Sequence, residues 1–153
     1  MNGLELKIPP PVVALTFAAA MYGVAWAVPA VSFVLPGQPY ISAVLLVLGI
    51  AVAVTGVLTF RRAGTTIDPR VPEKAASVVV HGIYRYTRNP MYLGILTVLA
   101  GWALYLSNAA AIVLLAGFVA YMMRFQIIPE ERILRDKFGK PYDDYRSRVR
   151  RWI

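Results

Sequence analysis

Two long stretches without a charged residue constrain this chain most. The first lies between Lys7 and Arg61, and the second between Arg88 and Arg124. Each is longer than the ~20 apolar residues that cross a ~30 Å hydrocarbon core. Neither stretch shows the polar face that a helix of a soluble protein presents in every turn. The chain is also 58% hydrophobic, above the usual composition of soluble domains. The sequence therefore predicts an all-α, multi-pass membrane bundle.

Breaker residues divide both stretches into spans. The segment 36–39, Pro-Gly-Gln-Pro, separates a first span at 9–35 from a second at 41–60. A turn at Ser107 and Asn108 leaves two short helices of about 16 or 17 residues, each roughly 25 Å long. We therefore predict about four spans in a single domain, 1–153. Its parts are two N-terminal spans (1–60), a cytoplasmic loop (61–90), a helical hairpin (91–128) and cytoplasmic or interfacial C-terminal helices (129–153).

The basic residues predict the orientation in the cell membrane. Of the 16 Lys and Arg, only Lys7 precedes the first span, six lie between the second and third spans, and nine lie at or beyond the end of the fourth. The positive-inside rule then places both termini and the 61–90 loop in the cytoplasm. Juxtamembrane basic residues attract anionic headgroups, so the net charge of +8 needs no nucleic-acid partner.

The chain has few side chains that could form disulfides or bind a metal ion. The chain has no cysteine and one histidine, His81, so disulfides and thiolate metal sites are excluded. A single histidine cannot form a metal site alone, and the sequence offers no second ligand of suitable type and spacing. We therefore predict no metal.

Polar side chains gather where the third span begins. Asn89 and Pro90 are typical of a helix start, with Asn as N-cap and Pro in the first turn. Arg88 would stand beside free N–H groups that attract carboxylate or phosphate, or would simply mark the membrane interface. Tyr84 and Tyr92 fit either an aromatic belt or the wall of a pocket for a cationic ligand.

A second polar segment follows the fourth span. Pro129 is typical of a new helix, with Glu130 and Glu131 in its first turn, where the helix dipole stabilises carboxylates. In the last helix four apolar residues recur at spacings of 3, 4 and 3: Tyr142, Tyr145, Val149 and Trp152. This stripe predicts a helix along the membrane surface.

The two polar segments resemble the signature of the isoprenylcysteine carboxyl methyltransferase and phospholipid methyltransferase superfamily. The first match reads His81-Gly82-Ile83-Tyr84, then Arg88-Asn89-Pro90-x-Tyr92-x-Gly94. The second reads Arg124-x5-Glu130-Glu131-x2-Leu134, leading to Phe138-Gly139-x2-Tyr142-x2-Tyr145. The likeness covers roughly residue 60 to the C-terminus, and the two motifs in this order, on either side of a short hairpin, make it specific.

The resemblance implies S-adenosylmethionine as methyl donor and a lipophilic acceptor that reaches it from the bilayer. By position, the cofactor pocket would contain His81, Gly82, Tyr84, Arg88, Asn89, Pro90, Tyr92, Glu130 and Glu131, with Arg124 also closing it. Eukaryotic carboxyl methyltransferases have His where Asn89 stands. Asn does not titrate near neutrality, so the resemblance carries no acid–base role to this position.

Residues with catalytic roles follow from the chemistry of methyl transfer. The protein must chiefly align acceptor, methyl and sulfur, a contribution that reaches about 7–11 kcal/mol. Arg88 or the N-terminus of the third span would hold the donor's carboxylate. A carboxylate acceptor needs only an arginine to orient it, for which Arg124 is the candidate, whereas an amine acceptor needs a base, for which Glu130 is the candidate.

Other functions remain open at this stage. The acceptor could be a prenylated cysteine carboxylate, a phospholipid amine, or a small lipophilic amine or thiol. A nicotinamide-dependent membrane reductase shares a similar C-terminal region but is far longer, and a non-catalytic membrane scaffold could keep the fold. A transporter is disfavoured because no charged residue lies inside a span.

Overall fold

The computed structural model describes residues 5–64 and 77–153. Within these ranges the chain is helical, and its only β feature is an isolated bridge between Ser32 and Asn108. Six α-helices follow in order: α1 (Pro10–Ala27), α2 (Gln38–Arg62), α3 (Pro90–Leu106), α4 (Ala109–Met122), α5 (Ile128–Phe138) and α6 (Lys140–Arg148). The predicted all-α fold is confirmed. Residues 65–76 of the predicted loop, with Arg70 and Lys74, lie outside the described residues.

Three helices of the described ranges are long and apolar enough to cross a membrane. They are α1, α2 and a continuous helix of 30 residues, Ala109–Phe138, that contains α4 and α5. The remaining apolar helix, α3, has 17 residues, as the hairpin interpretation expected. The charge-free part of the long helix ends at Met123, just before Arg124. The charged residues of α5 lie beyond that part.

The first helix is shorter than predicted. It ends at Ala27, not at Leu35, because Pro29 cannot continue the helical hydrogen bonds. A short 3₁₀ helix, Pro29–Val31, and an extended segment follow. These connect to the left-handed Gly37 (φ 73°), which precedes α2.

Glycines bring α2 and α3 into direct backbone contact. A Cβ added to Gly49 would lie 2.6 Å from the carbonyl oxygen of Gly94, and one added to Gly94 would lie 2.5 Å from that of Gly49. Small residues at a helix crossing permit this approach, which is how helices pack tightly in lipid. The crossing fixes the position of α3, whose first residues form one side of the site.

The predicted turn at Ser107 and Asn108 is confirmed and locks one end of the bundle. The Asn108 side chain accepts hydrogen bonds from the N–H groups of Ala110 and Ala111, which caps α4. Its amide nitrogen donates to the carbonyl of Val28 at 2.8 Å. Because the oxygen of the Asn108 amide caps α4 and its nitrogen binds Val28, this side chain joins the hairpin to the connection between α1 and α2.

The core lies between α1, α3 and α4. Its fully buried members include Met21, Phe118 and Met122, and Phe17 packs edge-on against Phe118. The indole of Trp102 donates to the carbonyl of Ala18 at 3.0 Å. These contacts seat the long last helix against α1 and α3, which sets where its charged end emerges.

The last long helix passes Pro129 without a break. A π-turn, Met123–Ile127, joins α4 to α5, and the N–H of Ile128 donates to the carbonyl of Met123. As predicted, Pro129 lies in the first turn of α5 with Glu130 and Glu131. However, α5 continues from α4 through the π-turn as one helix of 30 residues. Helix α6 follows after Gly139, whose φ is 56°.

Candidate active site

The site forms where the start of α3, the start of α5 and the residues after α6 meet. The backbone N–H of Arg88 donates to the carbonyl of Arg150 at 3.0 Å. The Asn89 amide and the Thr87 hydroxyl both donate to the carbonyl of Arg151, at 2.9 Å and 3.1 Å. Three bonds thus tie the residues before α3 to the C-terminal segment, more than sixty positions away.

Glu131 is a buried carboxylate held by two arginines. Arg88 contacts its Oε1 at 2.9 Å, and Arg151 donates to both of its oxygens at 2.9–3.2 Å. Glu131 is 8% exposed. Burial of an unpaired charge would be costly, and two charge-assisted contacts offset that cost.

Arg88 keeps unused hydrogen-bond capacity. Its side chain is 9% exposed, yet Nε and Nη1 are buried without a hydrogen-bond partner in the described part of the chain. Buried polar groups are nearly always satisfied, so an orphaned guanidinium edge in a native structure indicates a partner that binds there. The partner that suits it is an anion, and a carboxylate matches the fork geometry.

Glu130, the residue before Glu131 in α5, is held by a different partner. It lies beyond the apolar part of the long helix, and the Tyr92 hydroxyl donates to its Oε2 at 3.0 Å. Burial raises the pKa of Glu130 to about 7, the Tyr92 hydrogen bond opposes this rise, and the charge of Glu131 adds to it. A carboxyl group of this kind changes charge near neutral pH.

Three tyrosines enclose the cluster. Tyr84 is buried against Phe60, with 4.8 Å between ring centroids, and its hydroxyl has no partner among the described residues. The Tyr145 hydroxyl donates to the carbonyl of Tyr84 at 2.8 Å. Burial raises the pKa of Tyr84, and the charge of Glu130 raises it further. Burial and then Glu131 raise the pKa of Tyr142, so these phenols stay neutral hydrogen-bonding groups.

The apolar stripe of α6 faces the protein. Tyr142 and Tyr145 are 4% and 5% exposed, because they pack on the residues before α3. The expectation that this stripe faces the membrane surface is therefore revised. An open cleft of about 410 Å³ beside α6 is lined by Arg88, Asp143, Arg146, Ser147 and Arg151.

The structure brings together most of the side chains that the sequence predicted for the site: Tyr84, Arg88, Asn89, Pro90, Tyr92, Glu130 and Glu131. Asn89 does not cap α3 with its side chain, since its amide is committed to the carbonyl of Arg151. Pro90 is the buried first residue of α3.

Three predicted residues lie apart from this cluster. His81 is exposed in extended backbone before the 3₁₀ helix Gly82–Arg85. Gly82 is also exposed and has a φ of +60°, with Thr59 against the position of its missing Cβ. Arg124 is 46% exposed and contacts Glu5 at 2.8 Å. A role for Arg124 in orienting the acceptor therefore stays a prediction.

Sequence reasoning missed Arg151, Tyr142 and Tyr145 as members of the site. Arg151 belongs to a basic run in which no residue stands out by type or spacing. Tyr142 and Tyr145 lie in the second motif, and their burial could have been inferred from their shared helix face. Among the described residues, no group of three or more His, Cys, Asp or Glu is placed to hold a metal ion.

Comparison with known proteins adds independent support for the resemblance. The chain is 30% identical over 113 residues to a probable protein-S-isoprenylcysteine O-methyltransferase of Oryza sativa subsp. indica, which covers 72% of this chain and 58% of that protein. It is 29% identical over 105 residues to protein-S-isoprenylcysteine O-methyltransferase B of Arabidopsis thaliana, covering 69% and 53%. The chain thus spans little more than half of these plant proteins.

A shorter relative and a family profile complete the comparison. An uncharacterized protein of Haemophilus influenzae is 41% identical over 63 residues, which is 41% of this chain and all of that protein. The profile of the phospholipid methyltransferase family matches residues 38–141. That range holds α2 to α5, and with them both polar segments of the site. Since the match covers more than half of the chain, this membrane protein belongs to the phospholipid methyltransferase family.

Proposed function

We propose that this chain is an integral membrane methyltransferase that uses S-adenosylmethionine and acts on a lipophilic acceptor. The observation that carries the proposal is the buried guanidinium of Arg88. Its Nε and Nη1 have no partner among the described residues, and its Nη2 contacts Glu131, the residue after Glu130. The unpaired nitrogens of Arg88 suit the carboxylate of an amino-acid moiety, and the carboxyl group of Glu130 suits its ammonium group. Family membership supports the same activity.

The residues present fit this donor. Its carboxylate would bind Nε and Nη1 of Arg88, which lack a partner among the described residues. Glu130 would bind the ammonium group or the ribose hydroxyls. The unsatisfied hydroxyl of Tyr84 and the nearby rings would contact the adenine or the sulfonium, since cations are stabilised over aromatic faces. Bound there, S-adenosylmethionine supplies an electrophilic methyl group together with its own leaving group.

The remaining site residues would shape the pocket. Glu131 fixes the position of the Arg88 guanidinium, and Arg151 shares that carboxylate. Asn89 and Pro90 hold the start of α3 against the C-terminal segment. We assign His81 and Gly82 to the exposed edge of the pocket, following the resemblance.

The acceptor most consistent with the plant relatives is a carboxylate such as that of a prenylated cysteine, which needs no base. Arg124 would orient such a carboxylate through guanidinium nitrogens other than the Nη1 that contacts Glu5. The family profile favours a phospholipid amine as the second candidate. In that case Glu130, with a pKa raised to about 7, would be suited to accept the ammonium proton near neutral pH.

Equilibrium binding to purified protein in detergent tests this proposal. We expect S-adenosylmethionine and its demethylated product to bind in the micromolar range, about −8 kcal/mol. Arg88→Ala and Glu130→Ala should each abolish binding, because each removes one of the two charged anchors. Methyl transfer from radiolabelled donor into lipid extracts would then identify the acceptor class.

Arg85→Ala serves as the matched control, because this exposed arginine lies on the same segment as Arg88. The control should keep the affinity of the unmodified chain. Binding of a nicotinamide dinucleotide alone would overturn the methyltransferase, and unchanged affinity in both site variants would overturn the site assignment.

A further inference from the structure

The N-terminal segment, residues 5–8, lies against the π-turn of the last long helix. The backbone N–H of Leu6 donates to the carbonyl of Phe125 at 2.9 Å. In an α-helix that carbonyl would accept from residue 129, but Pro129 has no N–H to donate. The side-chain amide of Gln126 donates in return to the carbonyl of Ile8 at 2.7 Å.

A buried carboxylate adds a second connection across the turn. Glu5 contacts Arg124 at 2.8 Å and Arg132 at 3.7 Å, and its side chain is 3% exposed. The hydrogen bond from Arg124 lowers the pKa of Glu5, so this residue stays ionised. Arg124 belongs to the π-turn and Arg132 to α5. One carboxylate therefore joins both sides of the junction.

The backbone of Leu6 shows that this contact is specific. Leu6 has a φ of 60°, a left-handed conformation that costs a non-glycine residue about 1–3 kcal/mol. Its side chain is nevertheless 5% exposed. The segment adopts an unfavourable backbone conformation where its N–H meets the carbonyl of Phe125.

The π-turn determines which way the carboxylates of α5 point. A π-turn holds one residue more than an α-helical turn, which rotates all later residues by roughly 100° about the axis. In this register Glu130 meets the Tyr92 hydroxyl and Glu131 meets Arg88. Without the extra residue, Glu130 would lie where Glu131 lies now and Glu131 where Arg132 lies now, so both pairings would be lost.

We infer that Glu5 and the backbone N–H of Leu6 are positioning residues for the active site. They satisfy and clamp the π-turn, and the π-turn holds Glu130 and Glu131 in register with Tyr92 and Arg88. This inference rests on the proposed function for its readout, because the affinity for S-adenosylmethionine reports on that register.

Point variants of the full chain test the inference by calorimetry with S-adenosylmethionine. Glu5→Gln removes the charge, and Leu6→Pro removes both the N–H and the positive φ with which Leu6 presents it. Both should weaken binding by about tenfold or more, since small misplacements of binding groups have effects of this size. Glu5→Asp keeps the charge and should restore most of the affinity, a rescue that a role in packing alone would not give.

Two matched controls belong to the same segment. Lys7→Gln removes an exposed charge beside the clamp. Leu6→Gly keeps the N–H and accepts a positive φ while losing the buried side chain. Both should bind within about threefold of the unmodified chain, because neither removes a contact to the turn.

Hydrogen–deuterium exchange of residues 123–131 gives a readout that does not depend on the proposed function. Exchange there should be faster in Glu5→Gln and Leu6→Pro than in the controls, because the turn opens locally. Unmodified protein that binds no S-adenosylmethionine would overturn the proposed function, and exchange would still show whether the segment holds the turn. Full affinity in both test variants would overturn the positioning role.

Discussion

The guanidinium of Arg88 illustrates how a single side chain is prepared for a ligand. One of its nitrogens contacts Glu131, and two others are buried without a partner in the described ranges. The contact fixes the position of the group, so a ligand carboxylate would meet a preorganised donor pair. Arg151 supplies the second positive charge on Glu131, which leaves Arg88 free to serve a further anion.

Glu130 should make the stability of the ligand-free protein depend on pH. Its pKa in the fold is about 7, above the ordinary 4.5. The folded protein therefore binds more protons than the unfolded chain between these values, and stability falls as pH rises through this window. Glu130→Gln removes the ionisation. We expect it to be more stable than the unmodified chain at pH 8 by about 1–3 kcal/mol.

Thermal unfolding in detergent between pH 5 and pH 8 measures this difference. The gap between Glu130→Gln and the unmodified chain should shrink toward zero at pH 5, where Glu130 is protonated. Asp136→Asn is the control, because it makes the corresponding carboxyl-to-amide change at an exposed position of the same helix. A stability difference between Glu130→Gln and the unmodified chain that stays constant, or grows as the pH falls, would contradict the raised pKa of Glu130.

At this scale the sequence predicted the site only in part. Motif spacing brought Arg88, Glu130 and Glu131 together because each stands at the end of a hairpin helix. Arg124 was expected beside them, but its direction depends on a π-turn that spacing does not reveal. Glu5 was not predicted, since its partners lie more than a hundred residues away and the contact exists only after folding.

The helices themselves were more predictable, because their ends are marked by local chemistry. The breakers at 36–39 and 107–108 divide the helices as expected, since proline and a capping asparagine act on the backbone of their immediate neighbours. The passage through Pro129 could not be predicted in this way. It depends on an N–H donated by Leu6, a tertiary contact that overrides the local signal.

Gly94 should be sensitive to substitution because of the contact between α2 and α3. A Cβ at this position would lie 2.5 Å from the carbonyl oxygen of Gly49 and 2.6 Å from the backbone nitrogen of Ala53. Gly94→Ala must separate the two helices, and we expect a loss of about 1–3 kcal/mol in stability. Thermal unfolding in detergent measures the loss.

Gly23→Ala is the matched control within α1, because nothing lies within 4 Å of its added Cβ. This change should leave the protein unaffected or stabilise it by up to about 1 kcal/mol, since Ala favours the helix. Equal effects of the two substitutions would contradict the close contact of α2 with α3.

On the scale of the whole molecule, the charged cluster and the polar turn at Asn108 lie at opposite ends of the helical bundle. The α5–α6 end carries the charged cluster, while the opposite end is closed by Asn108 and the α1–α2 connection. The positive-inside rule predicts that the charged end faces the cytoplasm. The one-sided charge is visible in the sequence, whereas the joining of residues 87–89 to residues 150–151 is not.

Single cysteines test this orientation without background, because the chain has none of its own. Ser147→Cys lies on exposed α6, and Val34→Cys lies in the fully exposed connection between α1 and α2. In intact host cells a membrane-impermeant maleimide should label only the cysteine at 34. Both should react after the membrane is opened, and labelling of the cysteine at 147 in intact cells would reverse the topology.

The bonds from Thr87, Arg88 and Asn89 to residues 150 and 151 also set an order of events during synthesis. A chain grows from its N-terminus, so α3 is made and can insert long before the partners of its first residues exist. The pocket can close only after residue 151 has left the ribosome. Until then the nascent protein would be anchored in the membrane but unable to bind the proposed methyl donor.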